Sequence, residues 1–390
     1  MTRVIIALTI VVFLFSPTIA RADVVLDWNG IMLTTLTGQS PFAQARFAAI
    51  TQLAVFEAVN AITRDYNPYL GTIIAPRGAS AEAAAISAAH AVLRNYFPGS
   101  IQSLDAAWSS SLAAIPNGIP KLQGIQVGQA TAAAMIARRA ADGSGTPAFY
   151  MPTSSDPGQW QLTTSCSPAG GAFLRWRNVT PFGIRTSDQF RSHPPPALIS
   201  NKYRFDYDEV EEVGRINSIE RPPDRTDVAR FYAVVSPVAA WNPAARQVAT
   251  ARGSSLSENA RTFALLNMAM SDAAVTVFET KYHYNFWRPE TAIRAGDTDG
   301  NPKTNPDPGF VPLITTPCFP GYPSAHASLS NAARRVLERV FGNRGHSITL
   351  SSPALPGVIL HYNRLREITD DIDDARIYGG IHFRFDQEAG

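Results

Sequence analysis

Three short stretches in the C-terminal part of this 390-residue chain, Lys281 to Pro289, Pro323 to His326 and Arg376 to Asp386, together hold three cations, a serine, two histidines and a carboxylate. They constrain the fold more than any other feature, because jointly they form a side-chain set for gripping a tetrahedral oxyanion. Such an anion presents oxygens in several directions, so its seat needs fixed positive charge from several sides and neutral donors for the remaining lone pairs. Lys281, Arg288 and Arg376 can supply the charge and Ser324 a neutral donor. The fold must then bring widely separated stretches to one place.

The spacings agree with a shared site. Lys281 and Arg288 are seven residues apart, close to two helical turns, and a helix through Asn267 to Phe286 points them the same way. Pro289 marks Arg288 as a helix boundary. Pro323-Ser324-Ala325-His326 directly precedes the apolar-periodic run Leu329, Ala332, Ala333, Val336, Leu337, Val340, which puts it at a helix N-terminus. Unpaired backbone N–H groups and the positive end of the helix dipole gather there. In the third stretch Gly379-Gly380 breaks the chain and His382 begins a new turn, with Asp386 four residues on and on the same face. A carboxylate so placed holds the proton of one imidazole nitrogen and leaves the other free to bond the anion's central atom.

K-Y-H-Y-N-F-W-R-P at Lys281–Pro289, P-S-A-H at Pro323–His326 and R-I-Y-G-G-I-H-F-R-F-D at Arg376–Asp386 resemble the three-part signature of the vanadium-dependent haloperoxidase and type-2 phosphatidic acid phosphatase superfamily. That signature reads K-x-x-x-x-x-x-R-P, P-S-G-H and S-R-x-x-x-x-x-H-x-x-x-D. P-S-A-H alone carries no weight; three parts in order with correct internal spacing do. The segment R-F-A-A-I-T-Q-L-A-V-F-E-A-V-N-A-I at Arg46–Ile62 is similar to the helical N-terminal half of bacterial haloperoxidase-like proteins. The resemblance implies an all-α fold, a helical bundle of the vanadium chloroperoxidase and acid phosphatase type. Two positions depart from the signature: Ala325 replaces the usual glycine, adding a methyl where backbone and anion approach, and Ala375 replaces the usual serine. Neither change removes a charged or ligating group. In relatives a helix continues beyond the position of Asp386, so the end at Gly390 suggests a fragment.

By that resemblance vanadate is the cofactor, held by Lys281, Arg288, Ser324, Arg376 and the Ala325 amide, with His382 bonded to vanadium. His326 is the acid–base group toward hydrogen peroxide, halide is the co-substrate, and Asp386 orients His382. Phe319, seven residues before His326, falls where chloride-oxidising relatives carry a phenylalanine beside the halide. The same seat can instead take a phosphate ester, with no vanadate, His382 as nucleophile and His326 as acid to the leaving alkoxide. A non-catalytic phosphate-binding protein is a third class, against which the acid–base residue His326 speaks. The haloperoxidase reading is preferred because the chain reads as long, soluble, exported and helical.

Arg3, the apolar run Val4 to Phe15 and Ala20-Arg21-Ala22 read as a signal peptide over residues 1–22, giving an exported, periplasmic or secreted protein that begins at Asp23. No later segment offers eighteen uninterrupted apolar residues, which argues against a membrane span and the multi-span lipid-phosphatase branch. A net charge of +2 without a basic cluster gives no support to nucleic-acid binding. Helical periodicity over Pro41–Asn60, Ser80–Tyr96, Ile101–Ile115 and Leu122–Ala141 defines an N-terminal helical region, 23–142. Residues 143–225 are rich in Pro, Gly, Ser and Thr with interspersed aromatics, as in long loops that line an access route. A C-terminal helical region, 226–390, carries the oxyanion stretches.

Other polar residues have plainer readings. His90, His193, His346 and His361 read as structural or surface histidines, and His283 as either a cavity or a core group. Asp370, Asp371, Asp373 and Asp374 read as a solvated cap on a turn before a helix and not as a calcium loop, which needs alternating ligands and a central glycine. The only two cysteines, Cys166 and Cys318, can pair in an oxidising compartment and pin the long loop beside the site.

Overall fold

The computed structural model describes residues 23–390, so the signal-peptide reading lies outside the described residues. The architecture is all-α with one small antiparallel hairpin, β1 (Ile348–Ser351) against β2 (Ile359–Tyr362). At its centre α2 (Pro41–Thr63) runs against α9 (Leu256–Tyr284), with α3 (Ala81–Tyr96) and α5 (Ile119–Arg139) packed on the other side of α2. Ala45, Ala48, Ala49, Ala54 and Ala58 on α2 are fully buried. Such small side chains let neighbouring helices approach closely on several faces, and a helix apolar all round is a core helix. Among the described residues α2 alone is long and apolar enough to cross a membrane, and it is mostly buried inside the protein.

Start signals follow the sequence. Ser40, Ser80 and Ser255 cap α2, α3 and α9, each accepting from the backbone N–H three residues on, and Ser255 with Glu258 forms a reciprocal capping box. α1 (Val24–Thr35) and α4 (Ile101–Ala113) flank α3. The stretch 143–225 is mostly irregular, yet Asn201–Gly214 within it forms α6. Ser200 caps that helix, and Tyr203, Tyr207, Val210 and Gly214 form its buried stripe. Asp272 on α9 fixes the preceding loop by accepting the backbone N–H groups of Phe182, Gly183 and Ile184 at 2.6–3.0 Å.

The C-terminal layer comprises α7 (Pro223–Val234), α8 (Pro237–Arg252), α10 (Pro289–Arg294), α11 (Ala325–Phe341), α12 (Leu365–Tyr378) and α13 (Arg384–Ala389). α11 lies on α9, and α12 bridges α7 and α11. Two elements differ from the sequence expectation. Lys281 and Arg288 do not share a helix: Asn285, at φ 52°, ends α9 in a left-handed cap and Arg288 caps α10. The aspartates 370–374 lie within α12 rather than on a turn before it, and Asp371 and Asp374 pair with Arg225 while Asp374 also pairs with Arg384. They tie α12 to α7 and to the start of α13. Cys166 and Cys318 form a disulfide that joins the long loop to the segment before α11.

Candidate oxyanion site

Local chain geometry turns each expected side chain inward. Ser324 caps α11, its oxygen accepting from Ala327 N at 3.3 Å, which leaves its hydroxyl proton free to donate. The first N–H groups of α11, at Ala325 and His326, have no partner within the helix. Gly380, at φ 78°, lies with its Cα against Gly214, so the turn after α12 needs a residue without a side chain. That turn delivers His382 just ahead of α13. Gly321 performs a second close approach, where a Cβ would fall 2.8 Å from Trp287 O.

The three stretches meet. His382 Nδ1 donates to Asp386 Oδ2 at 2.7 Å, and the same carboxylate oxygen accepts Phe383 N at 3.1 Å. His382 Nε2 accepts from Arg288 Nη1 at 2.9 Å, which fixes the tautomer with its proton on Nδ1. Ser324 N donates to Asp386 O at 2.9 Å, tying the second stretch to the third. Lys281 Nζ donates to the carbonyls of Pro320 and Gly321 at 2.8 and 2.7 Å. Arg288 Nε donates to Phe319 O at 2.9 Å. The Lys281 ammonium and the Arg288 guanidinium lie 5.3 and 4.9 Å from the Phe319 ring centre.

Sequence gave no sign of one partner, the Tyr232 carbonyl in the last turn of α7. It accepts Arg376 Nη1 at 2.7 Å, and the same backbone acts on His326 as a weak upward pull against the lowering by burial. Carbonyls at a helix C-terminus lack intrahelical donors, so α7 offers a fixed acceptor to Arg376.

A cavity of about 350 Å³ reaches His326, Arg376 and His382, and Ala325 and Phe319 also border it. Lys281, Arg288, Ser324 and Asp386 are wholly buried behind. His326 is densely surrounded yet keeps a face on the cavity. His283 is exposed and plays no part in the site. His90 pairs with Asp105, His346 bonds to Gly342 O and His361 to Thr349, as structural histidines do.

Burial without an equal number of carboxylates shapes the electrostatics. Lys281 is driven well below its ordinary value by burial and then by Arg288, against the pull of Asp386. Burial lowers Arg288 to about 9 and Arg376 to about 10. His326 falls well below 6.5 through burial, then Arg376 and Lys281; His382 does so through burial, then Arg288 and Lys281. Both imidazoles are neutral at pH 7. Burial raises the Asp386 carboxyl, opposed by Lys281 and Arg288.

These residues fit a tetrahedral oxyanion. Arg288 Nη2 and Arg376 Nε are buried donors without a protein partner, and such donors cost about 1–3 kcal/mol each unless something accepts from them. Three buried cations face one buried carboxylate, so the missing partner is anionic.

The fold and this site define a helical-bundle protein built around three buried cations, two histidines and one carboxylate. Residues 261–390 match the family model described as VCPO second helical-bundle domain. The chain is similar to the vanadium chloroperoxidase of Curvularia inaequalis, 24% identical over 271 residues that make up 52% of this chain and 44% of that relative. It thus spans less than half the length of that curated relative. Among solved structures it resembles a bacterial vanadium-dependent iodoperoxidase, with TM-score 0.77, 25% identity, and coverage of 94% of this chain and 92% of that one. A bacterial vanadium-dependent chloroperoxidase shares the fold at TM-score 0.72 and 16% identity, covering 90% of each chain. Together these likenesses support the resemblance of this chain to the vanadium-dependent haloperoxidase and type-2 phosphatidic acid phosphatase superfamily.

Proposed function

We propose that this protein is a vanadium-dependent haloperoxidase that oxidises halide with hydrogen peroxide. The observation that carries the reading is the oriented His382, held by Asp386 at Nδ1 and presenting Nε2 among three buried cations. The vanadium haloperoxidases among its structural neighbours support the choice.

Vanadate, when bound, would supply a Lewis-acidic centre that activates hydrogen peroxide for halide attack without changing oxidation state. Lys281, Arg288 and Arg376 would hold its negative charge, with Ser324 and the Ala325 N–H as neutral donors and His382 Nε2 as the nitrogen ligand. Asp386 keeps the Nδ1 proton in place, so Nε2 stays a lone-pair donor. His326, neutral and facing the cavity, takes a proton from hydrogen peroxide on its unprotonated ring nitrogen. The same fixed charges offset the negative charge that develops as the O–O bond breaks. Phe319 is the candidate wall of the halide position, supported by its place on the cavity. Action outside the cytoplasm is part of the proposal, and the Cys166–Cys318 disulfide supports it.

The competing reading is a phosphatase with His382 as nucleophile. Purified protein assayed with and without orthovanadate separates the two. Bromide oxidation by peroxide that depends on added vanadate is expected. Vanadate-inhibited hydrolysis of an aryl phosphate, with no bromide oxidation, would reverse the assignment.

A further inference from the structure

Halide, peroxide and vanadate are small and polar, yet the cavity above the oxyanion seat is walled largely by apolar groups. Phe42, Phe173, Phe319, Ile314, Leu329 and Pro237 line it, and His326, Arg376 and His382 border it with polar groups. The aromatic walls are held edge to face. Phe42 lies 4.9 Å from Phe173 and 6.2 Å from Phe319 between ring centres, and Phe173 lies 5.9 Å from Phe319.

The placement of Phe173 is built. Its backbone sits at φ 65°, a region costly to a residue with a side chain and held only where surroundings enforce it. The preceding residue supplies the restraint: Ala172 N donates to Cys318 O at 2.8 Å and Ala172 O accepts from the Tyr282 hydroxyl. Cys166–Cys318 ties the same loop down. Phe42 is equally fixed, at the start of α2 and 5% exposed. Phe42, Phe173 and Pro237 lie outside residues 261–390, the part matched by the family model. The start of α2, the long loop and the start of α8 therefore help to shape the space.

A cavity of about 350 Å³ is at the small end of ligand pockets, and apolar walls with convergent polar groups at one end are the pattern of an organic-ligand site. We propose that this cavity binds an uncharged, electron-rich aromatic molecule of one ring, which receives the halogen inside the protein. The inference rests on the haloperoxidase reading. In the net reaction a ring C–H, hydrogen peroxide, halide and a proton give a ring C–halogen bond and two waters. Halide loses two electrons to the peroxide O–O bond, which breaks, and the proton displaced from the ring carbon passes to the free nitrogen of His326 or to solvent. Phe42 and Phe173 are specificity-determining residues that hold the ring over the seat by edge-to-face contact.

Three measurements test this. Phenol is titrated into the vanadate-free protein and followed by its NMR line broadening. Saturable binding is expected, weakened about tenfold or more in Phe173→Ala, in line with the effect of removing a filled apolar contact. Next, the vanadate-loaded enzyme with bromide and peroxide is offered phenol together with the same phenol tethered to polyethylene glycol. Compared with reagent hypobromite on the same mixture, the enzyme is expected to favour free phenol by about tenfold or more, and Phe173→Ala to move the ratio toward the reagent value. A ratio equal to that of the reagent, or no saturable binding of phenol, overturns the proposal. Tribromide formation without any acceptor is the third measurement and reads halide oxidation by itself. Its absence defeats the underlying haloperoxidase reading, whereas its presence with an unselective product ratio defeats only the inference about the cavity.

Discussion

Arg288 Nη1 stands 2.9 Å from His382 Nε2 and donates to it, while Asp386 holds the opposite ring nitrogen at 2.7 Å. The nitrogen that would bond the anion's central atom is thus already an acceptor, engaged by the cation that would bind the anion's oxygens. On the proposed function, an incoming oxyanion would take over both partners at once, Nε2 bonding its central atom and Arg288 its oxygens, including one for the orphaned Nη2.

Arg288→Lys tests that exchange. A lysine keeps the charge but loses the forked donors that reach His382 and the anion together. Inorganic phosphate binding at pH 7, read by calorimetry, is expected to weaken by about 1.5–3 kcal/mol, the worth of a hydrogen bond to a charged group. Affinity unchanged within twofold would remove Arg288 from the seat.

Anion binding should fail early on the alkaline side. Lys281 is lowered by burial and by Arg288, so it is charged below its depressed value and neutral above it, and that crossing comes before 10.5. Affinity is fully present below the crossing and is lost as pH rises through it. Lys281→Arg should carry the alkaline limb to higher pH, because a guanidinium keeps its proton longer. Identical limbs in phosphate titrations of the two proteins would count against a buried lysine in contact with the anion.

On the acid side the two histidines set the sign. Unfolded, each takes a proton near 6.5; folded, each stays neutral well below that. The unfolded chain therefore binds more protons in this window, and stability falls as pH drops through 6.5, by up to about 1.4 kcal/mol per pH unit for each histidine. Asp386, raised above 3.8, acts oppositely above that value, since the folded state keeps its proton. Urea denaturation from pH 7.5 to 5 should show a shallower loss in His326→Gln than in the parent. Equal slopes would mean that His326 is not held neutral.

The Cys166–Cys318 bond closes a separation of 152 residues, which the chain-entropy model values at about 5 kcal/mol. Unfolded, unreduced protein should show no free thiol, and reduction should lower the thermal midpoint. Two titratable thiols would refute the pairing.

The sequence made the charged members of the site legible because the chemistry demands those residue types at fixed spacing from helix ends. Lys281, Arg288, Ser324, His326, Arg376, His382 and Asp386 converge. Helices with strong periodicity, such as α2, α3 and α11, also stood out. The left-handed turn at Asn285 was hidden, because a single positive φ leaves no periodic trace and a seven-residue spacing imitates two turns of one helix. α6 was masked by the Pro- and Gly-rich residues around it, and α12 by an aspartate run whose partners, Arg225 and Arg384, are distant in sequence. The Tyr232 carbonyl could not be foreseen, since any residue supplies a carbonyl and only the end of α7 gives this one its place.

Titrating His382→Ala and His326→Ala with orthovanadate tests most directly whether His382 ligates the anion's central atom while His326 moves protons. His382→Ala is expected to lose vanadate binding and peroxidase activity together. His326→Ala should bind vanadate nearly as the parent does while turnover falls about 100- to 10,000-fold, the usual contribution of a general acid–base group. Parental affinity in His382→Ala, or equal loss of binding in both variants, would contradict the assignment.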